Sequence, residues 1–89
     1  MDSIDNQNHR LAYLIQEFPD ESFLAVCGHD SAIIGVEAQK MVLVYSVKGI
    51  LKNLEAYMTR EEALEFFDFD ILGSHMGEKT PIFVFDTFE

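Results

Sequence analysis

One junction limits what this chain can become. Met41-Val42-Leu43-Val44-Tyr45 is an apolar run rich in β-branched and aromatic side chains, the composition of a strand. Only Ser46 separates it from Val47, Ile50, Leu51, Leu54 and Met58, which recur at the spacing of one helix face, with Lys48, Lys52 and Glu55 off that stripe. Ser46 suits an N-cap, because its hydroxyl accepts an orphan N–H of the first turn. The spacing predicts a strand at 41–45 and a helix at 47–57. Gly49 sits inside that helix, where glycine costs roughly 1 kcal/mol relative to alanine. Thr59-Arg60-Glu61-Glu62 then matches a capping box, with Thr59 capping the N–H of Glu62 and the Glu62 side chain returning to the N–H of Thr59. A second helix therefore starts at residue 60 and meets the first at a corner.

The remaining elements follow from spacing and punctuation. Leu11, Leu14, Ile15 and Phe18 fall at i, i+3, i+4 and i+7, and Pro19 ends the pattern, which predicts a helix at 8–17. Phe23-Leu24-Ala25-Val26-Cys27, closed by Gly28, reads as a strand. A helix with Pro19 at its first position, Asp20 and Glu21 at its positive end and Gly28 beyond it is the alternative, which periodicity does not separate. Ala32-Ile33-Ile34-Gly35-Val36 reads as a strand in which Gly35 marks a bulge or a close approach. Thr80-Pro81-Ile82-Phe83-Val84-Phe85 is a last strand, with Pro81 tolerated near its start. The expected order is α-β-β-β-α-α-β. This is one α+β domain over 1–89, a small mixed or antiparallel sheet of about four strands with two or three helices, its first eight residues frayed.

Charge narrows the function. Six Lys and Arg stand against sixteen Asp and Glu, a formal net charge of −10. That disfavours direct contact with nucleic-acid backbone or an anionic membrane and suits a basic protein partner. A hydrophobic content of 48%, with eight Phe, is that of a folded chain rather than a disordered one. Cys27 is the single cysteine, so no internal disulfide forms, and a reducing compartment fits. Met1-Asp2-Ser3-Ile4-Asp5 has neither the basic nor the apolar stretch of a signal peptide, and no apolar run is long enough to span a bilayer. The expected location is the cytoplasm.

The acids are concentrated. Between Glu55 and Glu78 seven acids (Glu55, Glu61, Glu62, Glu65, Asp68, Asp70, Glu78) face one base, Arg60. On an ideal helix Ala63, Leu64, Phe67 and Ile71 form the core face, Glu61, Glu65 and Asp68 lie opposite, and Phe66 and Phe69 fall outside the core arc beside the acids. Three arrangements resolve this. The favoured one ends the helix near Asp68, so that Phe69 and Ile71 change faces in extended chain. In the second, Phe66 is covered by the last strand or the first helix. In the third, Phe66 and Phe69 stay partly exposed beside the carboxylates as a docking patch. A solvated helix face is the commoner origin of such a row of acids and is favoured over a docking row.

Residues of catalytic type are sparse. Cys27-Gly28-His29-Asp30 places a thiol, an imidazole and a carboxylate close in sequence, but neighbours on a turn rarely face one another, and a Cys closing an apolar run is usually a small buried hydrophobe. His75 and Glu78 supply two metal ligands at most, short of the three or four that zinc takes unless His9 or His29 joins them. Gly73-Ser74-His75-Met76-Gly77 lacks the Lys-Ser/Thr of a phosphate loop. The chain is expected to be non-enzymatic, with no cofactor and no metal.

Asp30-Ser31-Ala32-Ile33-Ile34-Gly35-Val36, Val44-Tyr45-Ser46, Glu61-Glu62-Ala63-Leu64-Glu65-Phe66-Phe67-Asp68-Phe69-Asp70 and Gly77-Glu78-Lys79-Thr80-Pro81-Ile82-Phe83 follow one another in an order that resembles a group of small acidic proteins of tailed phages and prophages, over roughly residues 23–85. Asp70 stands where that group would have Asn, and Cys27 where it would have an acid. The group has no established activity. The resemblance implies a viral accessory protein. Together with the acidic row it leads to the expectation of a chain that binds a basic host protein through Glu61, Glu62, Glu65, Phe66, Asp68, Phe69 and Asp70. Such a chain would inhibit a nucleic-acid-binding defence complex, as an anti-CRISPR protein does. The alternatives are a homodimer that covers Phe66 and Phe69, and a small ligand-binding domain with a pocket near His29, His75 and Glu78.

Overall fold

The computed structural model describes residues 9–74 and 77–86. Within them the order is α1 (Arg10–Glu17), a 3-10 turn (Asp30–Ala32), β1 (Ile33–Glu37), β2 (Val42–Ser46), α2 (Val47–Leu54), α3 (Arg60–Phe66), a π-helical turn (Phe67–Leu72), a second 3-10 turn (Gly77–Lys79) and β3 (Ile82–Val84). The sheet order is β1-β2-β3, with β1 antiparallel and β3 parallel to the central β2. The fold is therefore α+β, with a mixed sheet of three strands among the described residues where about four were expected.

The missing strand is residues 23–27. Glu21 to Val26 carry neither strand nor helix. Phe23, Ala25 and Val26 still pack against the core, and the backbone N–H of Val26 donates to the Tyr45 hydroxyl at 2.8 Å instead of joining a ladder. A short apolar run specifies burial but not a hydrogen-bonding partner, and here a side chain supplies the partner. Cys27, expected inside, is exposed on the turn that follows, where Gly28 takes φ +85°.

At the strand–helix junction, Ser46 is both the last residue of β2 and the N-cap of α2. Its Oγ accepts from the N–H of Gly49 at 2.9 Å and donates to Asp86 Oδ1 at 2.7 Å, which ties the chain beyond β3 to the start of the helix. Val47, Ile50, Leu51 and Leu54 are all buried, each worth about 1.5–3 kcal/mol of burial. α2 ends at Leu54 rather than 57, because the N–H groups of Ala56 and Tyr57 turn to carbonyls three residues back, a tightened last turn.

Gly49 has a reason that its helix position hides. A Cβ there would lie 3.0 Å from Ala32 Cβ and 3.3 Å from Ala32 Cα, so α2 rests directly on the Asp30–Ala32 turn. Gly49→Ala is expected to gain none of the roughly 1 kcal/mol of helix propensity, and Gly49→Val to lose about 1–3 kcal/mol to overpacking. Thermal unfolding of the two variants checks this; a full alanine gain would mean that the two elements do not touch.

Gly35 marks the expected bulge. The β1–β2 register shifts between Ile33 and Gly35 and leaves Ile34 without a partner and exposed. Arg10 Nη1 donates to the carbonyl of Ile33 at 2.7 Å and of Ser31 at 3.2 Å, so α1 is fastened to the start of β1. Bulge and guanidinium together blunt this strand against edge-to-edge pairing.

Candidate protein-binding face

The site is built on α3. Its start is fixed by the capping box read from the sequence: Glu62 N–H donates to Thr59 Oγ1 at 3.2 Å, and Thr59 N–H donates to Glu62 Oε1 at 3.0 Å. Thr59 is extended (φ −73°, ψ 165°), so α2 and α3 meet at the expected corner. Glu61 and Glu62 stand in the first turn, where the helix dipole favours negative charge.

The helix does not end near Asp68. It continues to Leu72, and from Phe67 onward it winds as a π turn, with i→i+5 geometry that is rare and concentrates at functional sites. Ala63, Phe67 and Ile71 are buried at a constant spacing of four. An α-helix rotates such a series by about 40° per step; the wider turn keeps Phe67 and Ile71 on the core. Everything between them turns outward. Glu61, Glu62, Glu65, Asp68 and Asp70 are exposed, Phe66 is 38% exposed and Phe69 78%. Leu64, expected in the core, is exposed as well. Thus neither the helix end near Asp68 nor the covered Phe66 is realised, and all seven site residues read from the sequence share one continuous helical segment.

Gly73 closes the turn. A Cβ there would lie 2.9 Å from the carbonyl oxygen of Phe69 and 3.3 Å from that of Asp68, both rigid backbone atoms, so only glycine allows the chain to leave so wide a turn this closely.

One oxygen of Glu62 accepts the Thr59 N–H, and the carboxylates of this segment have no cationic partner among the described residues. Among the described residues the ion pairs are Arg60–Glu55 at 2.8 Å and Lys79–Glu21 at 3.3 Å. Arg10 is committed to backbone carbonyls. Met58, Glu62, Glu65, Phe66, Phe69 and Asp70 line a shallow groove of about 470 Å³. Met58 is the member that sequence reasoning missed: its spacing marks only the end of an apolar stripe, and its place just before the Thr59 cap is the signal that it lies beside the next helix.

The other candidates separate. His29 is buried while Cys27 points to solvent. The amide nitrogen of Asn53 lies 3.3 Å from His29 Nδ1 and donates to Ser31 Oγ at 3.1 Å, so the ring is part of the contact between α2 and the Asp30–Ala32 turn. Glu78 is exposed and His75 lies outside the described residues. Among the described residues no three His, Cys, Asp or Glu side chains are grouped to hold a metal ion.

Burial lowers the pKa of His29 below its ordinary value of 6.5 by disfavouring the imidazolium. The unfolded chain therefore binds this proton more readily than the folded one. His29 contributes its full stability above about 6.5, and that contribution is lost as pH falls through 6.5 toward the lowered folded value. This contribution is expected to lower the melting temperature as pH falls below about 6.5, and His29→Gln to flatten the slope there; identical slopes in the two proteins would remove His29 as the cause.

Among the described residues no helix is long and apolar enough to cross a membrane. Compared with known protein families, curated proteins and solved structures, the chain matches none.

Proposed function

We propose that this chain is a non-enzymatic binding protein whose acidic, aromatic face over α3 and the π turn docks on a basic surface of another protein. The observation that carries the reading is the exposure of Phe69, 78%, inside a segment whose Glu61, Glu62, Glu65, Asp68 and Asp70 are all solvent-facing. An exposed ring beside unpaired carboxylates supplies both the apolar anchor and the charge of an interface. With a net charge of −10, long-range attraction would speed the encounter with a cationic partner. The resemblance to phage proteins extends the proposal to an accessory protein working in the host cytoplasm. A row of carboxylates there would occupy the phosphate-binding groove of a nucleic-acid-binding defence complex.

The test uses immobilised chain and a variant carrying Glu61→Gln, Glu65→Gln, Asp68→Asn and Phe69→Ser, which leaves the Thr59–Glu62 cap in place. Host lysate is passed over both at about 50 mM and about 500 mM salt, on either side of the range where surface charges are screened. A basic protein held by the unaltered chain at low salt, released at high salt and not held by the variant is the expected result. Identical retention by both proteins, or none at low salt, sinks the proposal.

The exposed rings of Phe66 and Phe69 also favour a second reading, a homodimer that covers them. Burying this face against itself would oppose like charges. Light scattering separates the two: a concentration-independent dimer without a partner selects the second.

A further inference from the structure

We propose that the groove beside Phe69 recognises arginine: it takes a guanidinium group from the partner, stacked on phenyl rings and hydrogen-bonded by the surrounding carboxylates. This rests on the reading of α3 as a docking face and names the chemistry of what enters it. The groove walls are of two kinds, the apolar Met58, Phe66 and Phe69 and the carboxylates of Glu62, Glu65 and Asp70. An aliphatic occupant would offer no donor to Glu65, Asp70 and the oxygen of Glu62 that the Thr59 cap leaves free, and an anionic one would be repelled. The occupant must combine a positive charge, N–H donors and a surface that lies well on an aromatic ring.

Three biological cations differ on those counts. A quaternary ammonium sits well against aromatic faces but has no N–H for the carboxylates. A lysine ammonium has donors but is compact and strongly hydrated, so it resists leaving water for a phenyl face. A guanidinium is planar, weakly hydrated, stacks on aromatic rings and offers paired donors in the geometry of a carboxylate. It alone uses both kinds of wall.

No arginine of the chain itself fills the groove. It has two arginines, and both are engaged elsewhere: Arg60 pairs with Glu55, and Arg10 holds the carbonyls of Ser31 and Ile33. A second copy brings the same two committed arginines and another charge of −10. The guanidinium therefore comes from a different, basic protein.

The experiment titrates N-acetylated triarginine, trilysine and tricitrulline amides into protein with ¹³C-labelled phenylalanine rings at low ionic strength. Citrulline keeps the shape of arginine without the charge. Triarginine is expected to move the Phe66 and Phe69 ring signals and to bind about two- to fivefold more tightly than trilysine, the factor carried by an exposed cation–aromatic contact. Tricitrulline is expected to leave the rings unmoved. Phe69→Leu, at an exposed position, should abolish the advantage of arginine and leave the two cationic peptides equal, whereas Glu65→Gln should weaken both alike. Equal affinities for the unaltered protein, or an arginine advantage that survives Phe69→Leu, overturn the inference and leave the acidic docking face standing. No binding of either cationic peptide overturns both. Ring signals that shift on dilution without peptide would identify a second copy as the occupant, which also overturns it.

Discussion

Phe67→Ala is expected to destabilise the fold by about 3–5 kcal/mol, and Phe69→Ala by less than about 0.5 kcal/mol. The two rings are separated by one residue and have opposite surroundings. Phe67 is 4% exposed and meets Phe83 edge to face with centroids 5.6 Å apart; Phe83 lies 5.7 Å from Tyr45 in turn. Removing Phe67 opens a cavity between the π turn and β3, whose walls are regular elements that cannot collapse into it. A domain of this size has about 5–15 kcal/mol in total, so the loss leaves it marginal. Phe69 has no such neighbours to lose. Urea melts of both variants, with unchanged slope, measure the contrast. Comparable losses would mean that Phe69 is packed, and the docking face would lose its ring.

Tyr45 carries the second large effect. It is fully buried on β2, and its hydroxyl is the acceptor for the N–H of Val26. Tyr45→Ala is expected to cost about 3–5 kcal/mol by the same cavity argument. Tyr45→Phe is more informative, because it keeps the ring and removes only the oxygen. The Val26 N–H has no strand partner to fall back on, so the cost is about 1–3 kcal/mol, that of an orphaned donor. Desolvation raises the phenol pKa above its ordinary 10, with Asp30 adding to the rise and the Val26 bond opposing it, so the hydroxyl stays neutral throughout the working range. Equilibrium unfolding gives the energy, and faster amide exchange at Val26 in Tyr45→Phe locates it. A phenylalanine variant as stable as the unaltered protein would show that the 21–26 segment is held by apolar contact alone.

Much of this was legible in the residues because it depends on neighbours in the chain. Ser46 caps α2, the Thr59–Glu62 box starts α3, Gly35 sits at a bulge, and Val47, Ile50, Leu51 and Leu54 are buried as their spacing requires. Each is a contact between positions three or four apart, or a backbone property of one residue, so local sequence suffices. The seven residues of the candidate face were also named from charge and helical spacing. Their exposure was not, since an ideal helix assigned Leu64 to the core and left Phe66 and Phe69 open to three arrangements.

The sequence by itself determined the elements with local signatures, the α+β class and the concentration of charge between Glu55 and Glu78. Only the tertiary structure decided that 23–27 pairs with a tyrosine hydroxyl rather than a strand, that Gly49 is there for Ala32, and that a π turn holds Phe67 and Ile71 inward while Phe69 faces water. The reason is common to all three. Each outcome is set by a contact between segments far apart in the chain, or by how much a helix must widen to keep its core residues seated, and neither quantity is written in the spacing of a single segment.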